Sequence, residues 1–203
     1  MKRWFTSDSH WAHANILKYC DRPFKDVYQM NEEMIWRWNN VVGKDDEVYH
    51  LGDFGFGKPG NLINIMQQLN GKIFFIRGNH DKTTLEANKK IHRFEWVKDY
   101  HLLKIEDAEV SDGYQYLFLC HYPMLSWNHS HRGSWQMFGD YPVLNFNDIN
   151  AWDLYGHHHG SLSNKPKLIT KPCQMDVGVD VWDFTPISYE KVKEVITKQN
   201  MNA

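Results

Sequence analysis

The chain predicts an α/β fold, because segments of strand character alternate with segments of helical spacing. The clearest series covers 46–53, 59–71 and 72–79, in which two β-prone runs flank a helix that opens with Pro59 and closes with Gly71. Strand–helix–strand units of this kind build parallel sheets. We therefore expect a largely parallel sheet with helices packed on it.

The remaining elements are predicted from the same periodicities. A helix at 30–42 has apolar residues at helical spacing, and Asn31 is its expected N-cap. Two further helices are expected, and so are five further strand segments. The helices are 12–20 and 188–199, and the strands are 2–8, 94–105, 115–120, 152–155 and 175–181.

Composition indicates one globular domain spanning 1–203. Hydrophobic residues make up 42% of the chain and aromatic residues 15%, which is enough for a substantial core. The stretch from 122 to 150 has no clear periodicity, and long segments of this kind inside a domain are often functional. We interpret it as a loop insertion that shapes a substrate pocket.

The charge balance bears on the binding partner, and the cysteines bear on the cellular compartment. With 23 basic and 25 acidic residues the net charge is -2, which argues against binding of long nucleic acid. Cys20, Cys120 and Cys173 form no paired motif, as is usual in a reducing compartment. Neither a signal peptide nor an apolar run of transmembrane length is evident. We expect a cytoplasmic protein without membrane contact, and a homo-oligomer is left open.

Side chains able to bind metal follow the predicted strands at the points where they end. Ligands of α/β sheets collect beyond the carboxyl ends of the strands, so these side chains are expected to converge. They are Asp8, His10, Asp53, Asn79, His121, His157 and His159, and His80 stands next to Asn79.

The types of these side chains indicate the kind of metal site. Imidazole, carboxylate and amide oxygen without thiolate suit Mn, Fe or Zn rather than a structural cysteine site. Seven candidate ligands are more than one catalytic ion needs. They suit two ions that share a carboxylate, roughly 3.5–4 Å apart.

The motifs "SDSH", "GDFG", "GNHD", "CHYP" and "GHHH" occur in this order over most of the chain. The series closely resembles that of the calcineurin-like binuclear metallophosphoesterases. The segment 176–188, "DVGVDVWDFTPIS", resembles the closing strand of their small bacterial and phage members. The resemblance implies a four-layer αββα sandwich, in which two mixed sheets lie face to face with helices outside.

The resemblance also implies a role for each motif residue. One metal would be held by Asp8, His10 and His159, and the other by Asn79, His121 and His157. Asp53 would bridge the two metals. Manganese is the expected ion, with Zn, Fe, Ni and Mg as alternatives. His80 would lie beside the metals without binding them, in phosphate binding or in protonation of the leaving group.

The activity implied is hydrolysis of a small phosphodiester or nucleotide-like phosphate ester by a hydroxide shared between the metals. Asp53 and His80 are the expected catalytic residues, since the departing alkoxide needs a proton that His80 can supply. Two alternatives stay open. One is a nuclease or phosphoesterase acting on nucleic-acid ends, and the other is a non-catalytic interaction scaffold of the same fold.

The second motif departs from the pattern of the related serine/threonine phosphatases. In those enzymes it continues into an aspartate and an arginine that support the catalytic histidine, whereas here it reads "GDFGFG". His80 therefore needs another orienting partner, and Asp81 is a candidate. The absence of both supporting residues weighs against a phosphoprotein phosphatase.

The remaining histidines and one arginine are expected to divide between substrate contacts and structural positions. Besides Asn79 and His80, the expected contacts are His129, His131 and Arg132, because arginine suits bidentate phosphate binding. His50 is expected to face the core or a neighbour, and His13 to be structural or at the surface.

The run of three histidines is interpreted through the geometry of an extended chain. Alternate side chains of an extended chain point in opposite directions, so His157 and His159 can both face the metals. His158 would then point away and be a bystander.

Overall fold

The computed structural model describes residues 1–109, 113–123, 151–161 and 174–201, and their strands form two sheets. The first sheet contains β1 (Arg3–Thr6), β2 (Glu47–His50), β3 (Lys72–Ile76), β4 (Phe94–Lys98) and β9 (Ile187–Ser188). Its order is β4-β3-β2-β1-β9, with β1 to β4 parallel and β9 antiparallel to β1.

The second sheet contains β5 (Tyr100–Glu106), β6 (Tyr114–Cys120), β7 (Ala151–Tyr155) and β8 (Gln174–Asp176) in that order. β5 is antiparallel to β6, and β6, β7 and β8 are parallel. Each sheet is largely parallel, as the strand–helix–strand pattern predicted, and each has one antiparallel strand, so both are mixed as the resemblance implied. The predicted strand 94–105 is two strands in different sheets, because the chain bends at Asp99, within a continuous run of β-prone residues.

Five α-helices are found in the described part of the chain. They are α1 (Ile16–Tyr19), α2 (Val27–Val41), α3 (Pro59–Met66), α4 (Lys82–Ile91) and α5 (Tyr189–Met201). α1 is only the last turn of the helix expected at 12–20, and α4 was not anticipated. The strand predicted at 175–181 is shorter in the structure, because Val179–Val181 forms a 3₁₀ turn after β8.

The N-cap of α2 is Asp26, and the expectation of Asn31 was wrong. Oδ1 of Asp26 accepts hydrogen bonds from the backbone N–H groups of Tyr28 (3.0 Å) and Gln29 (2.9 Å). This bonding satisfies two of the free donors at the first turn. Oδ1 of Asn31 instead accepts from the backbone N–H of Ala12 at 3.1 Å, which ties α2 to the loop after β1.

Two apolar clusters hold the layers together. One lies between the first sheet and the helices on its outer face, and it includes Met34 and Trp38 of α2 and Leu62 of α3. The other lies between the two sheets, where Phe5 and Ile76 meet Leu117 and Leu154. α5 adds Val192 and Ile196 to this second cluster.

The α/β fold with two mixed sheets and flanking helices is confirmed. The described residues form three layers: helices, first sheet and second sheet. The single-domain boundary 1–203 stays a prediction. None of the described helices combines the length and apolar character needed to cross a membrane.

Candidate metal centre

The carboxyl ends of the parallel strands in both sheets meet at one place. Asp8 and His10 follow β1, and the bridge between Ser7 and Gly178 joins this loop to the turn after β8. The other predicted ligands arrive from four further strands. Asp53 follows β2, Asn79 follows β3, His121 follows β6, and His157 and His159 follow β7. The structure thus brings all seven predicted ligands together.

The backbone at this place is unusual. Five of the seven predicted ligands have a left-handed φ, between 48° and 70°, namely Asp8, His10, Asp53, His157 and His159. Non-glycine residues adopt this region rarely and at a cost, and they persist in it mainly where surrounding structure over-determines them. Such a concentration is typical of a functional site.

Close packing of the loops also requires small residues. Gly156 precedes His157, and a Cβ at that position would overlap Ser7 Oγ and Asp8 Oδ2. Gly52 precedes Asp53 with φ +93°, and a Cβ there would lie 2.6 Å from the backbone N of Gly78. Glycine is therefore needed at both positions for the loops to approach one another.

Asp53 lies at the middle of the cluster. Its Oδ2 is 3.7 Å from Nε2 of His10 and 3.7 Å from Nε2 of His121. Its Oδ1 accepts a hydrogen bond from the backbone N–H of His80 at 2.9 Å. One carboxylate therefore faces a histidine from each of the two sheets, as a bridging ligand must.

The first group of donors consists of Asp8, His10 and His159, whose ligand atoms all lie within 4.8 Å of one another. Oδ1 of Asp8 and both ring nitrogens of His10 are buried without a hydrogen-bond partner in the described structure. Buried polar atoms without partners are costly, and a bound cation would satisfy them. Burial, reinforced by the charges of His159 and Arg22, lowers the pKa of His10 well below its usual value, which favours the neutral ring, in which one nitrogen has a lone pair for a cation.

The second group of donors consists of Asn79, His121 and His157. Oδ1 of Asn79 is 3.1 Å from Nε2 of His121 and 3.1 Å from Nδ1 of His157. His121 donates its Nδ1 proton to the carbonyl of Leu51 at 2.8 Å, so in the neutral ring Nε2 carries a lone pair. A lone pair and an amide oxygen then face each other at short range, an arrangement that a cation stabilises.

A buried ion pair behind His159 was not anticipated from the sequence. Nδ1 of His159 donates to Oδ2 of Asp180 at 2.6 Å, and Asp180 also accepts from Arg22 Nε (2.7 Å) and Nη2 (2.8 Å). Arg22 additionally donates to the carbonyls of Asp8 (2.7 Å) and Ser9 (2.9 Å). A carboxylate behind a histidine fixes its tautomer and directs the other ring nitrogen to a metal.

Electrostatics at His159 follow from this pair. Burial lowers its pKa, but the hydrogen bonds with Asp180 and Cys20, together with the charge of Asp8, outweigh burial and raise the pKa well above the usual value. The same hydrogen bond and Arg22 lower the pKa of Asp180 despite its burial. No sequence signal pointed to this pair, because Arg22 and Asp180 are 158 positions apart.

Asp81 supports the loops and does not hold His80. Its Oδ2 accepts from the backbone N–H groups of Asp53 (2.8 Å) and Gly78 (2.7 Å), and its Oδ1 accepts from Phe54 (2.9 Å). Burial, followed by the charge of Asp53, raises the pKa of Asp81 to about 6. The idea that Asp81 orients His80 is therefore wrong, since its carboxylate is committed to backbone donors.

His157 and His159 lie against different partners. His157 lies against Asn79, whereas the ring of His159 stacks on that of His10 at 5.1 Å. The chain here is not extended, because His157 and His159 have φ of 70° and 48°. Their separation therefore results from left-handed turns. The ring of His158 packs edge-on against that of His157, with centroids 5.1 Å apart.

The remaining predicted residues divide between the core and the part of the chain that is not described. His50 is fully buried, with Nε2 2.9 Å from Ser9 Oγ, so its expected core placement is confirmed. The predicted substrate contacts His129, His131 and Arg132, and most of the segment 122–150, lie outside the described residues.

Comparison with known proteins agrees with this geometry. Residues 1–161 match the sequence model of a protein family, the calcineurin-like phosphoesterases. The chain belongs to the calcineurin-like phosphoesterase family. Membership supports metal-dependent hydrolysis of phosphate esters in general, and the clustered carboxylates and histidines are suitable donors for the divalent metal ions that it implies.

Relatives come from archaea and phages. The chain is 34% identical over 200 residues to the uncharacterized protein MJ1445 of Methanocaldococcus jannaschii, covering 97% of this chain and 92% of the relative. It is 26% identical to the gene 66 protein of Mycobacterium phage L5, in a match that covers 88% of this chain and 86% of the phage protein. A solved structure, that of the protein of unknown function AQ665 from Aquifex aeolicus, superposes on this chain with a TM-score of 0.65 at 23% sequence identity. The match covers 95% of this chain and 98% of the Aquifex chain, so the two share the fold.

Proposed function

We propose that this family member hydrolyses a small phosphodiester or nucleotide-like phosphate ester with the help of two divalent cations. The observation that carries the proposal is the position of Asp53, whose Oδ2 is 3.7 Å from both His10 Nε2 and His121 Nε2. A carboxylate between two sets of donors is the arrangement that a pair of ions needs.

The donor set supports a division between two ions. Asp8, His10 and His159 would hold one, Asn79, His121 and His157 the other, and Asp53 both. When bound, such ions lower the pKa of a water molecule and offset the charge of the phosphoryl oxygens. Manganese is proposed because imidazole, carboxylate and amide donors without thiolate suit it, and Zn, Fe, Ni and Mg are the alternatives to test.

His80 is proposed to supply the proton that the departing alkoxide needs. Its backbone N–H is anchored to Asp53 Oδ1 at 2.9 Å, while its side chain is exposed beside His10, with ring centroids 6.2 Å apart. The ring therefore borders the donor cluster and is open to a substrate. Histidine is the side chain most often used for proton transfer of this kind.

Size and charge of the substrate are proposed from the whole chain. A net charge of -2 gives no basic surface for a long polyanion, so a small ester is preferred to nucleic acid.

The proposed compartment is the cytoplasm. Cys20 and Cys120 are free thiols, which supports a reducing compartment of this kind.

The test is metal-dependent turnover on a graded set of substrates. The protein is stripped with a chelator, reloaded with Mn and assayed on aryl phosphomonoesters, aryl phosphodiesters, cyclic and linear nucleotides, and a short single-stranded oligonucleotide. We expect turnover of small diesters at two bound ions per chain. Preference for the oligonucleotide would favour a nuclease, and no turnover of any ester with both ions bound would contradict an enzymatic role.

A further inference from the structure

Among the residues that the structure describes, none gives the ring of His80 the polar support that its proposed role calls for. Asp81, the nearest carboxylate in sequence, accepts from three backbone N–H groups instead. In the described part of the chain no hydrogen bond reaches either ring nitrogen of His80. Its backbone is held by Asp53, but that bond leaves the side-chain torsions free.

An aromatic side chain packs against the ring of His80. Phe56, the second phenylalanine of "GDFGFG", has its ring centroid 5.2 Å from that of His80 at an interplanar angle of 48°. The same ring is 6.0 Å from His10. Phe56 therefore borders both a proposed metal ligand and the proposed proton donor, and it belongs to the "GDFGFG" segment that carries Asp53.

Phe56 is itself held from two directions. Its backbone N–H donates to the carbonyl of Trp11 at 2.8 Å, next to the bridge between Trp11 and Gly55. On the other side the ring of His13 stacks on Phe56, with centroids 4.2 Å apart and planes 20° from parallel. The ring of His13 also lies 5.4 Å from that of His10, and its contact with Phe56 is the closer of the two.

We propose that Phe56, backed by His13, is a positioning residue that orients the imidazole of His80 towards the departing oxygen of the substrate by ring packing. This inference rests on the proposed function, because it takes His80 as the proton donor. Packing against a ring restricts the side-chain torsions of His80 while leaving both of its nitrogens available to the substrate.

The first test removes the ring of Phe56. Phe56→Ala is expected to lower kcat about 10- to 100-fold on esters with alkyl leaving groups, because a misplaced catalytic group costs on this order. KM and metal content should stay unchanged, and the loss should shrink on aryl esters, whose leaving groups need less protonation. Phe56→Tyr should restore most of the rate. A loss that is equal for all leaving groups would overturn the proposal.

The matched control is Phe74→Ala. It removes a partly buried aromatic ring of β3, which packs on Tyr49 and Trp96 beside the apolar cluster between the sheets. It should leave the dependence on leaving group unchanged. If Phe74→Ala changed that dependence as Phe56→Ala does, the effect would be one of general stability and the proposal would be wrong.

The second test separates stacking from chemistry at His13. His13→Phe keeps a ring against Phe56 but removes both nitrogens, whereas His13→Ala removes the stack. We expect His13→Phe to retain activity within about 3-fold and His13→Ala to reproduce part of the Phe56→Ala defect. Equal losses in the two variants would mean that a nitrogen of His13 acts on the substrate, which contradicts a purely supporting role.

The third test does not depend on activity. The ring proton signals of His80 in the metal-free protein are assigned by NMR through their disappearance in His80→Gln. Phe56→Ala, or Phe56→Leu if the alanine variant does not fold, should shift these signals because the neighbouring ring current is lost. Unshifted signals would overturn the inference even in an active enzyme, while shifted signals in an inactive protein would contradict only the proposed function.

Discussion

Nδ1 of His159 lies 2.6 Å from Oδ2 of Asp180, a carboxylate that also accepts two hydrogen bonds from the buried Arg22. The loop after β7 is thereby joined to the 3₁₀ turn after β8 and to the segment after α1. The pair leaves Nε2 of His159 as the atom free to face Asp8 and His10. The proposed metal site thus depends on residues that do not touch the metal.

Asp180→Asn is expected to weaken metal binding. The amide cannot balance the guanidinium of Arg22, and it no longer fixes the Nδ1–H tautomer of His159, so affinity should fall about 10- to 100-fold. Titration of the metal-free protein with Mn measures the change. Asp183→Asn is the control, because Asp183 is an exposed partner of Arg37 and its loss should not alter affinity.

Asp53→Asn is expected to remove the bridge while keeping the loop. The amide oxygen can still accept from the backbone N–H of His80, but the charge that two ions would share is lost. Bound Mn should fall below two ions per chain and turnover should become undetectable. Elemental analysis and the ester assay measure both quantities, and a fully active variant would disprove the bridging role.

His80→Ala is expected to separate metal binding from catalysis. The variant should keep both ions, since the side chain of His80 is exposed and it is the backbone N–H of His80 that reaches Asp53. Turnover should fall about 10²- to 10⁴-fold, most strongly for esters with poor leaving groups, because loss of a general acid is felt most there. Loss of metal in this variant would instead make His80 a ligand.

His158→Ala is expected to cost far less than either neighbouring substitution. His157 approaches Asn79 and His159 stacks on His10, whereas His158 is in neither donor group. The three single alanine variants should be compared for Mn content and kcat under the same conditions. A loss in His158→Ala equal to that in His157→Ala would contradict the assignment.

Asp107→Asn is expected to destabilise the protein in a way that depends on pH. Asp107 accepts from Lys193 Nζ (2.8 Å) and Tyr189 Oη (2.7 Å), and these bonds, led by Lys193, lower its pKa from 3.8 to about 2. A lowered folded-state pKa contributes stability above about pH 4, and that contribution is lost as the pH falls towards 2.

Chemical denaturation at several pH values measures this effect. The variant should lose on the order of 1 kcal/mol near pH 6, and the difference from the parent should vanish near pH 2. Glu109→Gln is the control, because Glu109 is an exposed partner of the same Lys193 and should matter little. A difference that persists unchanged to pH 2 would contradict the charge-based explanation.

Several features of the fold were predictable because they depend on short-range patterns. Strands at Glu47–His50 and Lys72–Ile76 and the helix between them follow from local hydrophobic runs with proline and glycine at the expected ends. The split of 94–105 at Asp99 was not predictable, because its residues are equally suited to a strand on both sides. Pairing with different sheets decided the break.

The same division holds for the site. The sequence by itself determined the candidate ligands, because a metal needs particular side chains and these follow strand ends in the order of a known motif series. Only the tertiary structure decided how they are held: Arg22 and Asp180 meet behind His159, Asp81 binds loop backbone, and Phe56 packs against His80. These contacts join residues far apart in the chain, and they depend on loop geometry that no local pattern encodes.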